Sequence, residues 1–141
     1  MSKANIDIII LDEIDSTNNE AQRVLNYKSN FPFWIIANEQ TSGRGRKNRY
    51  WVSQKGNFMG TFVLEHKIEK QYIPHLSFVT SLALRETIEG FNKGDKEIFL
   101  KWPNDIIIKD SKCAGILIES LKSNSDKEYL AIRIGVNLVN H

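Results

Sequence analysis

The sequence predicts an α+β fold: a mixed, largely antiparallel sheet with helices on one face. Three observations point there. Short apolar, β-branched runs of strand length recur along the chain. Two stretches carry apolar residues at helical spacing, and the strand-like runs of the second half are joined by polar turns too short for crossover helices. With 141 residues, 41% of them hydrophobic and 26% charged, the chain suits one domain with a packed core. A single domain over residues 1–141 without internal repeats is the expectation.

Residues 6–11 are short, apolar and β-branched, a buried strand that Asp12 to Asp15 should end. Thr17 then stands three residues before Glu20, a capping-box pattern, and Ala21, Val24 and Leu25 follow at helical spacing, so a helix is expected over 18–27. Residues 33–39 read as a second buried strand and 57–65 as a third, with a glycine-containing basic loop between them. From Pro74, the recurrence of Leu76, Val79, Leu82, Ala83 and Ile88 marks an amphipathic helix that Gly90 and Gly94 should terminate. Strands over 97–101, 106–109, 113–121 and 129–138 complete the sheet, joined in part by tight turns at 103–105 and 110–112.

Several function classes drop out. The longest apolar runs, at 8–11 and 33–37, are far shorter than the roughly 20 residues a membrane helix needs, so no membrane partner is expected. Asp7, Asp12 and Glu13 interrupt any signal-peptide core. Cys113 is the single cysteine, which excludes an intrachain disulfide and fits the reducing cytoplasm. It opens an apolar run, where cysteine packs as a small hydrophobe more often than it acts as a nucleophile. His66, His75 and His141 lack zinc-ligand spacing, so no structural metal is assigned.

The net charge of +2 conceals an asymmetry. Arg44, Arg46, Lys47, Arg49 and Lys55 fall within residues 41–56, a window without an acidic residue, which leaves the rest of the chain at −3. Gly43 and Gly45 let backbone amides approach an anion there, and the arginines can fork onto phosphate or carboxylate oxygens. The segment is neither a P-loop nor a dinucleotide fingerprint. By pattern alone it remains open between an anion-binding loop, a plainly solvated basic loop, and a nucleic-acid patch with Tyr50 and Trp51 as stacking platforms.

Three further segments carry candidate chemistry. Lys101-Trp102-Pro103-Asn104-Asp105 turns between two strands; Asn104 and Asp105 could orient a magnesium-bound phosphate or serve only as turn formers. Lys112 precedes the small residues Ala114 and Gly115, which leave room for a ligand, and its ammonium either enters a pocket or faces solvent at a hairpin. Ser16, Thr17 and Asn18 cluster at a helix start, where they cap the helix or bind a neutral polar ligand. Gly135 and Asn137 close the last strand.

Taken in order, Asp15-Ser16-Thr17-Asn18, Gln40-Thr41-Ser42-Gly43-Arg44-Gly45-Arg46, Lys101-Trp102-Pro103-Asn104-Asp105, Lys112 through Glu119, and Gly135-Val136-Asn137 closely resemble the catalytic domain of biotin protein ligases, from residue 6 to the end. The resemblance implies a fold related to class II aminoacyl-tRNA synthetases and lipoate ligases. It implies that biotin and MgATP give biotinyl-5′-adenylate and pyrophosphate, after which biotin passes to a lysine of a carboxylase's biotin carrier domain. Ser16, Thr17, Asn18 and Gln40 would meet the polar end of biotin. Gly43, Arg44, Gly45 and Arg46 would fold over the adenylate, the arginines facing the α-phosphate. Lys112 would sit between the biotin carboxylate and that phosphate, with Gly115 leaving space. Asn104 and Asp105 would help place ATP and its magnesium, Trp51 would stack near adenine, and Gly135 and Asn137 would line the site.

The resemblance also sets boundaries. Nucleic acid is not an expected partner, because no basic stripe accompanies the loop. A homodimer through sheet edges is among the assemblies it suggests. Where the family loop continues Arg-Gly-Arg, this chain has Lys47-Asn48-Arg49, so altered loop closure is expected. The chain stops at His141, where the family continues, and no N-terminal winged helix is expected. A C-terminally shortened ligase domain is therefore expected, with a non-catalytic binder of biotin or its adenylate, or a lipoate ligase, as the alternatives.

Overall fold

The computed structural model describes residues 5–91 and 97–139. In chain order the elements are β1 (Asp7–Ile14), α1 (Thr17–Val24), β2 (Phe33–Gln40), β3 (Phe58–His66), α2 (His75–Phe91), β4 (Ile98–Lys101), β5 (Asp105–Ile108), β6 (Ser111–Leu121) and β7 (Glu128–Val136). Single 3-10 turns cover Leu25–Tyr27, Arg46–Asn48 and Lys70–Tyr72. The seven strands form one sheet in the order β1-β2-β3-β7-β6-β5-β4. Only β1 and β2 pair in parallel; the other neighbours are antiparallel. This is the mixed, largely antiparallel sheet expected, and α1 supplies the crossover that a parallel pair requires.

The helices, however, take opposite faces, which corrects the expectation that they share one. Ala21 and Leu25, in and just after α1, pack with Phe33, Ile35, Val63 and Tyr129. Leu84 and Ile88 of α2 pack with Phe58, Ile98, Ile106, Ala114 and Val136. Tyr129 and Val136 lie an odd number of residues apart on β7, and side chains alternate along a strand, so the two clusters lie on opposite sides. Each fully buried aliphatic or aromatic side chain contributes about 1.5–3 kcal/mol. Cys113 packs against the second cluster, and burial pushes its thiol pKa up, so it behaves as a hydrophobe.

Element boundaries shift for local reasons. β1 continues through Asp12 and Glu13 to Ile14, because it is an edge strand whose charged side chains reach water. Ser16, rather than Thr17, caps α1: its Oγ accepts from Asn19 N at 3.1 Å. α2 runs through Gly90 to Phe91, so that glycine does not stop the helix; Gly94 lies outside the described residues. β7 ends at Val136, two residues short of the expected limit.

The junction of β1 and α1 is tied by Asp15. Its carboxylate accepts from Arg23 Nη2 at 2.5 Å, Ser16 N at 2.7 Å and Asn19 Nδ2 at 3.0 Å. The Arg23 hydrogen bond above all holds this carboxyl well below the usual carboxylate range. A depressed folded-state pKa stabilises the native form above the unfolded value, and that stability is lost as pH falls through and below about 3.9. Thermal melts should therefore show wild-type stability falling between about pH 5 and pH 2, and Asp15→Asn should remove part of that dependence. An unchanged acid slope in the variant would assign the acid sensitivity elsewhere.

Candidate active site

Two small residues make a shelf on the face of the sheet that carries α1. Gly115 of β6 and Gly135 of β7 are register partners, and the Trp51 ring lies directly over them. A Cβ at Gly135 would stand 2.8 Å from Trp51 Cε2, and one at Gly115 would stand 3.2 Å from Trp51 Cζ3. Only residues without a side chain allow that approach. Trp51 arrives there because the basic segment folds back on itself: Arg44 and Tyr50 form an antiparallel bridge, Gly45 N donates to Arg49 O at 2.6 Å, and Trp51 N donates to Gly43 O at 2.9 Å. At the tip, Lys47 and Asn48 both take φ of 57°. Asparagine tolerates this left-handed conformation better than most other non-glycine residues, so Asn48 can hold the tip of the turn.

A cavity of about 470 Å³ opens between this loop and the sheet. Gly45, Arg46, Trp51, Asn104, Asp105, Lys112, Gly115 and Asn137 all border it, a set the sequence had singled out from four separate segments. Lys112 Nζ pairs with Asp105 Oδ1 at 2.9 Å and stands 5.1 Å from the Trp51 ring centroid, so it enters the site. Its turn is held by Asn137, whose N donates to Cys113 O at 2.7 Å and whose Nδ2 donates to Lys112 O at 3.2 Å. The Asn104 amide donates to Ile116 O at 2.5 Å, so this side chain fastens the turn to β6 besides bordering the cavity.

The remaining candidates form a second, closed cluster. Ser16, Thr17, Asn18 and Gln40 are all buried. Gln40 Oε1 accepts from Thr17 N at 2.8 Å, and Gln40 Nε2 donates to Ser53 Oγ at 3.0 Å. Thr61 Oγ1 lies 2.7 Å from Thr17 Oγ1 and 2.6 Å from Asn18 Oδ1. Gly43 is buried beside this cluster, where a Cβ would meet Ser53 Oγ at 2.5 Å. Asn18 Nδ2 donates to Glu119 Oε1 at 2.6 Å, and Arg44 Nη2 reaches the same oxygen at 2.9 Å. Arg44 Nη1 also donates to Asn19 Oδ1 at 2.8 Å. Arg44 thus clamps the loop to α1 and β6 and joins the two halves of the site.

Thr61, Glu119 and Arg133 were missed as participants. Arg133 had the clearer signal, a lone cation inside the apolar strand 130–136. It is buried, borders the cavity, and donates through Nη1 to the Arg44 carbonyl. Burial, reinforced by neighbouring Arg44 and opposed by Glu119, pushes its pKa down to about 10, so it stays charged at neutral pH. Among the described residues no group of three or more His, Cys, Asp or Glu side chains could hold a metal. No helix among them is long and apolar enough to cross a membrane.

The family model for the biotin/lipoate A/B protein ligase family matches residues 10–137. The chain belongs to this family. It is 40% identical over 129 residues to a biotin-acetyl-CoA-carboxylase ligase of Paracoccus denitrificans, covering 92% of this chain and 53% of that one. It is 33% identical over 132 residues to the bifunctional ligase/repressor BirA of Bacillus subtilis, covering 93% and 40%. Among solved structures, biotin protein ligase from Leishmania major in complex with biotinyl-5-AMP superposes with a TM-score of 0.81 at 32% identity, covering 95% of this chain and 58% of that chain. The ligase from Aquifex aeolicus in complex with biotin and ATP gives 0.77 at 33% identity, covering 96% and 53%. This family member therefore spans about half the length of the relatives it matches.

Proposed function

We infer that this chain carries the adenylate-forming site of an ATP-dependent biotin protein ligase. The observation that supports this most is the pairing of a cationic cavity, with Lys112 on its sheet wall and the Gly43 to Arg46 loop above it, with a buried nest of neutral polar groups beside it. An acid and a nucleotide brought together to form a mixed anhydride need the first, and a cyclic urea needs the second.

In this reading, a biotin carboxylate oxygen attacks the α-phosphorus of ATP, the bond to the β-phosphate breaks, and pyrophosphate leaves. Lys112 and Arg46 lower the repulsion between the two anions and stabilise the charge that develops between them, and Arg44 joins them once its bonds to Glu119 and Asn19 are exchanged for ligand bonds. Ser16, Thr17, Asn18 and Gln40 receive the ureido end, which requires their present mutual hydrogen bonds to be exchanged for ligand bonds. Trp51, Gly115, Gly135 and Asn137 wall the adenylate, and the loop keeps water from the anhydride. Asp105 and Asn104 face the ATP phosphates, and magnesium arrives with the nucleotide, held by phosphate oxygens and at most one or two carboxylates. A lysine amine of a carrier domain then attacks the acyl carbon and releases AMP. These substrates call for a cytoplasmic setting.

The test is direct. Folded protein incubated with biotin and α-labelled ATP should yield biotinyl-adenylate and pyrophosphate, and should label a carboxylase carrier domain; no adenylate would end the catalytic reading. The span of about half of the relatives' length favours a second reading, a binder without turnover. Tight biotin binding by calorimetry with no adenylate would establish it. Competition by lipoate, and not by biotin, would point to a lipoate ligase.

A further inference from the structure

Arg133 sits mid-strand on β7, paired in register with Thr61 of β3 and Leu117 of β6. Its side chain therefore rises from the sheet face that carries the cavity, flanked along the strand by Ile132 and Ile134 on the other face. It is only 4% exposed. Nη1 donates to the Arg44 carbonyl, whereas Nε and Nη2, both buried, have no hydrogen-bond partner. Cζ stands 5.6 Å from the Trp51 ring centroid, so one side of the guanidinium is covered by an aromatic face. The nearby carboxylate, Glu119, is already shared by Asn18 and Arg44.

A buried cation lacking an anion is unfavourable in the free protein, and an apolar residue would suit this strand better. Nε and Nη2 form one edge of the planar guanidinium, the edge that meets an oxyanion side-on with two parallel hydrogen bonds. Two donors on one edge, buried and unpaired, on a side chain that borders a cavity, describe half of a bidentate pair. We propose that Arg133 is an oxyanion-binding residue of this site, taking a carboxylate or phosphoryl group of the ligand side-on through Nε and Nη2. The same guanidinium fixes the Arg44 carbonyl, so anion and loop are held by a single side chain. The identity of the ligand rests on the ligase reading; the anion chemistry does not.

Calorimetry on wild type, Arg133→Met and Arg133→Lys tests this with biotin, its uncharged alcohol biotinol, ATP and inorganic pyrophosphate. Arg133→Met should bind at least one anionic probe about tenfold or more weakly. A loss for biotin with biotinol unchanged assigns the carboxylate, and a loss for ATP and pyrophosphate assigns a phosphoryl group. Arg133→Lys should recover only part of the loss, since it restores charge without the fork. Without ligand, Arg133→Met should melt at or above the wild-type temperature; were it not to fold, Arg133→Lys alone carries the comparison. Variants that bind every probe within twofold of wild type would overturn the proposal even if the protein forms adenylate. Wild type that binds pyrophosphate through Arg133 but neither biotin nor ATP would overturn the ligase reading and leave this one standing. No binding of any anionic probe would overturn both.

Discussion

Lys112→Ala is expected to lower the rate of adenylate formation by about 10²- to 10³-fold, the scale seen when one preorganised donor is removed from a developing charge. The fold should be indifferent to the change. Lys112 and Asp105 form a pair whose side chains are 43% and 21% exposed, and such pairs contribute at most about 1 kcal/mol. What is lost is a fixed cation: Asn137 holds the Lys112 carbonyl, Asp105 holds its ammonium, and Trp51 flanks it. Without it, carboxylate and α-phosphoryl oxygens repel one another in a cavity where water screens poorly. Single-turnover assays of labelled adenylate, beside thermal melts, separate rate from stability. A variant within tenfold of wild type would remove Lys112 from the chemistry.

Gly135→Ala should release Trp51 from the sheet. The added Cβ would stand 2.8 Å from both Cε2 and Nε1 of the indole, and β7 cannot yield because β3 and β6 pair with it on either side. Overpacking of this kind costs about 1–3 kcal/mol, which the loop can escape only by lifting away, so adenylate retention should fall by about tenfold to a hundredfold. Gly115→Ala meets the ring at 3.2 Å and should have a smaller effect. In a Trp34→Phe, Trp102→Phe background, Trp51 is the sole tryptophan. Its emission should shift to the red in Gly135→Ala and much less in Gly115→Ala. Unchanged emission with unchanged retention would show that the shelf does not govern the loop.

The strands and their turns were legible because β-branched runs separated by polar turns have few other solutions. Periodicity showed that α2 is a helix, but Val79 and Leu82 of its apolar stripe stand 60% and 50% exposed, while Ile88 packs together with Leu84 from outside the stripe. Nor did it show which face of the sheet the helix meets. That depends on the route of a connection and not on any local pattern. Gly90 failed as a stop signal because it is exposed in the last turn, where an added Cβ would meet nothing within 4 Å and helix continuation conflicts with no packing. Within the site, Lys112, Asp105, Trp51 and the loop glycines stood out by residue type at turns and strand ends. The partners did not: Asn18 meets Glu119 across 101 residues, and Arg133 meets Arg44 across 89. No spacing rule reaches that far, and a single arginine inside an apolar strand announces burial without naming its neighbour.

Glu119 gives this separation a genetic meaning. One oxygen, Oε1, accepts from both Asn18 and Arg44, so two distant stretches of sequence draw on the same lone pairs. Substitutions at the two positions are then not independent characters. Removing either donor changes how firmly the other is held, and the double variant should depart from the sum of the singles. A mutational survey that scores each position alone would misjudge both.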